Sequence, residues 1–484
     1  MSIKVALPKG RYLAETADLL RRADWGLSGY HETTRLYHLK SEKFPGLSAK
    51  IFHEKDIPIQ VAVGNYDLGI CGLDWTEELL VKFPSSALIK VKNLGYGEGG
   101  LYIAASQFER ISTVEELQEK HEIIRIASEY PNLAESFAMN FRLKRFSIFP
   151  LWGAAETYPP ESAELVLVAG RIKEELLSYG LVPLKNTLNF SAFLIANRSS
   201  WESKNMNKIL VSIRNELAAG KKHPSSMVET EATKITSQYL SQCSEKLKIS
   251  EEADENIVRL ALPDGHQQIP TIQLLNKAGI QVYDYPSETG NRRPTTNLDR
   301  VAIKVIRPQD MPLQVANDNF DLAITGRDWL AEHLYQFPSS PVTELVDLKY
   351  GRVRIVAVVS KELPVDDIYT LKQFNAERPV PIRVASEYVN IADKFARDNH
   401  LGMYRVVPTW GASEAFLPGD ADLLIENTQT GRTLTRHNLK IIDTLFVSTA
   451  CLIGRKDAVV SSVKGKRIRS IIEALQSAME DSQD

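Results

Sequence analysis

The chain has 484 residues, 43% of them hydrophobic and 25% charged, and 58 Lys+Arg against 61 Asp+Glu leave a formal charge of −3. That balance excludes collagen-like, disordered and coiled-coil classes and predicts a globular protein, with about three domains as a soft expectation from length. No global basic field advertises a nucleic-acid partner, so an anionic ligand must be held by a local site.

The opening MSIKVALPKGR reads as a buried strand running into a Pro-Lys-Gly turn, with no apolar stretch long enough for a signal peptide or a membrane span. Residues 12–24 follow with helical spacing. The apolar runs at 49–53, 67–72, 101–105, 123–128 and 165–170 predict further buried strands of a mostly parallel sheet, and 131–142 a second helix. This alternation predicts an α/β fold whose strand ends open onto ligand sites. The strands fall into two groups, which implies two lobes with a cleft between them. Cys71, Cys243 and Cys451 stand far apart and make neither a disulfide framework nor a metal cluster, so a reduced, cytoplasmic chain is expected.

From about residue 257 the pattern starts again. ALPKG at Ala6 returns as ALPDG at Ala261, and Lys55 to Trp75 returns as Gln309 to Trp329. Asp67 and Asp321, like Phe83 and Phe337, lie 254 residues apart. RIASEYPN at Arg125 returns as RVASEYVN at Arg383, and WGAAE at Trp152 as WGASE at Trp410, now at a spacing of 258. The order of these blocks predicts a tandem duplication: one repeat over 1–220, a Lys-, Ser- and Glu-rich linker over 221–256 with a helical patch, and a second repeat over 257–484. Both repeats end in a stretch with amphipathic helical spacing, at 207–217 and 466–479.

The repeats diverge at their polar turns. In the second, Glu426-Asn427-Thr428-Gln429-Thr430-Gly431-Arg432-Thr433-Leu434 reads as a strand, a turn and a helix start. Such a turn exposes amides and hydroxyls where a helix dipole favours an anion. Gly431 permits close approach, Thr430 and Thr433 offer hydroxyls, and Arg432 adds charge-assisted contacts. Glu426 can accept from two ribose hydroxyls, so the set reads as a 5-phosphoribose cradle. On the TGRT alone, an ordinary Thr-capped helix start is the favoured reading. At the 258 spacing the first repeat places Val168, Ile172, Lys173 and Glu175 opposite Glu426, Thr430, Gly431 and Thr433, which removes the ligand-type residues. The N-terminal turn differs in the opposite sense: Lys9-Gly10-Arg11 in the first repeat, Asp264-Gly265-His266 in the second. Asp67, Asp74, Asp321 and Asp328 are read mostly as helix caps.

The ordered set of LPKGR, the RPQD turn with DLAITGRD, R[IV]ASEYxN, GA[AS]E and the TQTGRTL loop resembles the catalytic subunit of ATP phosphoribosyltransferase, over nearly all of each repeat. The resemblance implies a two-lobed fold akin to type II periplasmic binding proteins, with the active site between lobes and near a dimer interface. It implies Mg²⁺ and the joining of ATP to phosphoribosyl pyrophosphate as the first step of histidine biosynthesis, a pentosyltransferase reaction. By position, Gln429, Thr430, Gly431, Arg432 and Thr433 would hold the 5-phosphate and Glu426 the ribose hydroxyls. Lys9, Arg11, Arg307, Arg327 and Glu414 become candidates for ATP or pyrophosphate. The chain departs from the family in fusing two short copies and in beginning its loop with Glu-Asn. Neither repeat holds the whole set. The expectation is therefore a pseudo-dimer within one chain, with one composite site and room for further self-association. The competing reading is a non-catalytic, nucleotide- or amino-acid-binding regulatory relative.

Overall fold

The computed structural model describes residues 2–220 and 256–480, apart from 33–36, 109–110, 112, 120–121, 289, 412 and 458–461. Nearly all of the expected linker, including its helical patch and Cys243, lies outside the described residues.

Four main sheets carry the fold. The first repeat builds an N-lobe sheet in the order His38–Lys40, Leu47–His53, Ile3–Lys9, Leu68–Gly72, Ala192–Asn197, Leu88–Asn93. Between the last two of these strands in space, the chain has left and returned through an inserted lobe. Its sheet is ordered Leu181–Phe190, Gly99–Ser106, Leu165–Gly170, Ile124–Ser128, Phe146–Pro150. The second repeat does the same. Its N-lobe sheet runs Val301–Ile306, Val258–Pro263, Leu322–Gly326, Ala450–Arg455, Val342–Asp347, and its inserted sheet Leu439–Ser448, Val353–Ser360, Leu423–Thr428, Ile382–Ser386, Tyr404–Pro408.

The sheets are mixed rather than mostly parallel. Ile3–Lys9 pairs parallel with both neighbours, but the returning strand Ala192–Asn197 runs antiparallel to Leu68–Gly72 and Leu88–Asn93. Crossing between lobes and coming back leaves a strand that points the other way. Apolar runs such as Leu68–Gly72 are buried along their whole length, because both faces of each sheet are covered.

One face of each sheet packs on its own helices. In the first N-lobe, helix Leu13–Arg22 turns Leu13, Thr16, Leu19 and Leu20 inward at 3.6-residue spacing, and Trp25 and Ile209 complete that layer. The other face packs on the opposite repeat. Phe52, Ile57 and Val61 of the first N-lobe share a buried core with Val356, Phe416 and Leu424 of the second inserted lobe. Ile306, Met311 and Phe320 of the second N-lobe share another with Tyr102, Tyr158 and Val166 of the first inserted lobe. Within a repeat the lobes meet through less: Trp75 or Trp329 reaches into the inserted-lobe core, and Glu78 or Glu332 accepts from the backbone at Asn132 or Asn390.

Candidate functional site

Strand Leu423–Thr428 ends at a buried threonine, and the chain turns through Gln429, Thr430 and Gly431 into a five-residue helix, Arg432–Arg436. Gly431 caps that helix at φ +73°, a left-handed conformation that strains any side chain. No described atom stands within 4 Å of where its Cβ would project. The Thr428 hydroxyl accepts the Gly431 amide at 3.0 Å, and that of Thr430 stands 3.5 Å from the Arg432 amide. Gln429, Thr430, Arg432 and Thr433 are exposed. The turn thus offers hydroxyls, amides and a guanidinium on an open side. Thr428, which pins it, escaped sequence reasoning because a strand-ending threonine carries no distinctive signal.

Three carboxylates face one another beside the turn. Glu426 accepts from the Ser413 hydroxyl and, at 2.9 Å, from the Asn427 amide. Burial, then the charges of Glu387 and Glu414, push its carboxyl up to about 8. Burial and Glu414 push Glu387 up to about 7. Glu414, expected to line the cleft, is therefore close enough to repel both. Glu387 was missed, although the repeated Ala-Ser-Glu-Tyr block contains it.

On the lobe-facing side lies a cleft of about 200 Å³, whose lining includes Asp264, His266, Arg307, Trp329, Glu387 and Asn427. Its two walls are tied by Tyr388, whose hydroxyl donates to Asp328 at 2.6 Å and accepts the Asn427 amide at 3.0 Å. The Ser448 hydroxyl donates to Asp328 at 2.8 Å. Asp328 is therefore no helix cap; the N-cap is Gly326, with no side-chain bond. Asp74 likewise accepts from Arg11 and from the Tyr130 hydroxyl. Asp67 and Asp321 accept the Lys4 and Arg259 amides and pair with Lys204 and Lys464. In each case a hydroxyl, a charge or an amide of a distant strand takes the carboxylate that a helix end was expected to take.

The expected cations separate. Lys9 Nζ lies 3.3 Å from the Tyr37 hydroxyl, and the Tyr37 ring stacks on His437, just past the helix Arg432–Arg436, with centroids 4.8 Å apart. A first-repeat lysine thus stands near the second-repeat turn. Arg307 lines the cleft, pairs with Asp264 at 3.1 Å and abuts Gly153 of the first inserted lobe. Arg11 and Arg327 need correction as candidate phosphate ligands. Arg11 is turned into the first repeat, on Glu54 at 2.8 Å and on Asp74, with its guanidinium over Phe190. Arg327 is fixed on Glu344 at 2.6 Å and Asp347 at 3.3 Å of the outer strand, and it does not line the cleft although its neighbours Gly326 and Asp328 do.

The first-repeat counterpart of the turn is closed by its own chain. Glu175, in helix Lys173–Ser178, accepts the Arg171 amide at 2.8 Å, so a carboxylate occupies the place an incoming anion would need. Among the described residues no group of three or more acidic, His or Cys side chains is arranged to hold a metal, and no helix is long and apolar enough to cross a membrane.

The family model described as "HisG: ATP phosphoribosyltransferase" matches residues 53–218 and again 307–477. ATP phosphoribosyltransferase of Chlorobium phaeovibrioides is 31% identical over 229 residues, 46% of this chain and 72% of that protein. The one from Chlorobaculum parvum is 29% identical over 229 residues, with the same two coverages of 46% and 72%. Among solved structures, the ATP phosphoribosyl transferase (HisG:HisZ) complex of Thermotoga maritima aligns at 21% identity and a TM-score of 0.38, over 46% of this chain and all of that one. With two matched segments that together span well over half of its length, the chain belongs to the ATP phosphoribosyltransferase family.

Proposed function

We propose that the protein is an ATP phosphoribosyltransferase that joins N1 of ATP to C1 of 5-phosphoribosyl 1-pyrophosphate, releasing pyrophosphate, at one composite site on the second repeat. The observation that carries this reading is the open Thr428–Thr433 turn with Glu426 beside it, set against a first-repeat counterpart filled by Glu175. The arrangement of the four lobes supports a fused pseudo-dimer born of tandem duplication, and the position of Lys9 supports its contribution from the other repeat.

In this reading the amides and hydroxyls from Gln429 to Thr433 take the 5-phosphate, and Glu426 orients the ribose hydroxyls. The second-repeat cleft takes the acceptor purine. Its N1 lone pair forms the new bond to C1 while the C1–O bond breaks and its electron pair leaves with pyrophosphate. No strong base is required. The work is positioning and stabilisation of charge on the leaving group, for which Lys9, Arg307 and Arg432 are the candidates. Mg²⁺ fits as an ion carried in on the phosphates, since it keeps several waters and needs few protein ligands. When bound it neutralises leaving-group charge.

The test is absorbance of phosphoribosyl-ATP on mixing the protein with ATP, phosphoribosyl pyrophosphate and Mg²⁺, beside Thr430→Ala/Thr433→Ala and Lys9→Ala. Turnover is expected in the parent, lost in the threonine pair and reduced in the lysine variant. No turnover in the parent, with pyrophosphatase pulling the reaction forward, would leave two readings. Calorimetric binding of either substrate would then point to an enzyme lacking an activating subunit, and no binding to the regulatory relative, a reading to which Asp264 and His266 at the N-terminal turn lend support.

A further inference from the structure

Which lobes move together follows from where the cores lie. Each N-lobe shares a continuous buried core with the inserted lobe of the opposite repeat. Ion pairs fasten the same interfaces: the buried Lys50 to Asp420 at 2.6 Å in one, and buried Lys304 to the exposed Glu161 at 2.6 Å in the other. Close-packed cores of this kind transmit displacement instead of absorbing it. The apolar contact between the two lobes of one repeat is smaller, Trp75 with Leu73 or Trp329 with Ala331, joined by a few polar bonds. The chain is therefore two rigid bodies, each assembled from halves of both repeats, and both clefts open between the same two bodies. A rotation that changes one cleft changes the other.

The two clefts are not equally free. In the first repeat, Lys55 of the N-lobe reaches Glu129 of the inserted lobe at 2.8 Å, with its ammonium over the Trp75 ring at 4.7 Å from the centroid. Arg11 fills the space beside them, over Phe190. The corresponding second-repeat positions are Gln309 and Glu387, which cannot form an ion pair with each other, and the cleft they line stands open. We infer that the Lys55–Glu129 pair is a positioning device for the second-repeat cleft: by tying the two bodies together across the first repeat, it sets the spacing of walls it does not line. The inference concerns mechanics and holds whatever ligand the second cleft takes.

Spin labels report it directly in the full chain, in a Cys243→Ser background in which the two remaining cysteines, Cys71 and Cys451, are buried. Labels at Gln273 and Gln373, both exposed, span the second repeat; labels at Glu15 and Glu115, also exposed, span the first. Electron–electron distance distributions should broaden across both repeats in Lys55→Met and in Glu129→Gln. The charge-swapped Lys55→Glu/Glu129→Lys should narrow both again, which separates loss of the tie from damage to the fold. Broadening confined to the first repeat would overturn the inference, because the lobes would then move independently. So would distributions unchanged in both, because the pair would then tie nothing.

Discussion

Replacing Lys50 by methionine is expected to lower stability by about 3–5 kcal/mol, the largest single effect anticipated for a residue remote from the site. Lys50 Nζ donates to Asp420 at 2.6 Å, and Tyr66 donates to the same carboxylate at 2.9 Å. The lysine and aspartate side chains are only 4% and 3% exposed. Burial alone would drive the lysine to give up its proton, and it holds Lys50 below the ordinary lysine range despite the neighbouring aspartate. With the lysine gone, Asp420 keeps one hydroxyl donor and no countercharge. A second replacement, Lys50→Met/Asp420→Leu, should recover most of the loss, since apolar side chains of similar volume dispense with the desolvation of both ions. Urea denaturation of the parent and the two variants decides the matter. A single variant as stable as the parent would mean that water reaches this interface.

Glu426→Gln should produce the second large effect, and one that changes with pH. The carboxyl titrates near 8 in the folded protein against 4.5 in an ordinary setting. The folded state therefore holds a proton that the unfolded chain releases. Below about pH 4.5 both states carry it and this group costs nothing; from there towards pH 8 stability is progressively lost. Glutamine abolishes that loss. The variant's melting temperature should match the parent's at pH 4 and exceed it by a growing margin up to pH 8. Assayed above about pH 8, where the folded carboxyl is ionised, its kcat/KM should fall about 10- to 100-fold, as expected when a charged hydrogen-bond acceptor for substrate hydroxyls is lost. Equal melting curves at every pH would show that Glu426 is ionised in the free protein, and unchanged kcat/KM would remove it from the ribose.

Much of this architecture could be read from the chain. Repeated blocks at fixed spacing gave the paired topology, and the helix expected over 12–24 is found at Leu13–Arg22. The contrast between Thr430 and Ile172, or Thr433 and Glu175, already separated an open turn from a closed one. What escaped was pairing at a distance. Arg11 looked available because its partners, Glu54 and Asp74, lie 43 and 63 residues away. Arg327 sits next to Asp328, yet the acids that hold it are on a strand reached only after a further turn of chain. Strand direction was misjudged for a related reason: a continuous buried apolar run, such as Leu68–Gly72, says nothing about which way a neighbour runs. Glu387 carries no contrast between the repeats, since Glu129 is the same residue at the matching position, and only its burial beside Glu414 marks it.

The exchange of halves between the repeats bears on how the protein is made. When the first 220 residues have left the ribosome, the N-lobe face bearing Phe52 and Ile57 and the inserted-lobe face bearing Tyr102 and Tyr158 have no cover. Val356 and Phe416, Ile306 and Met311 must still be synthesised before either layer can be sealed. At a synthesis rate of about 5–20 residues per second, two apolar sheet faces wait for many seconds in the nascent chain, where they are open to a chaperone or to another nascent copy.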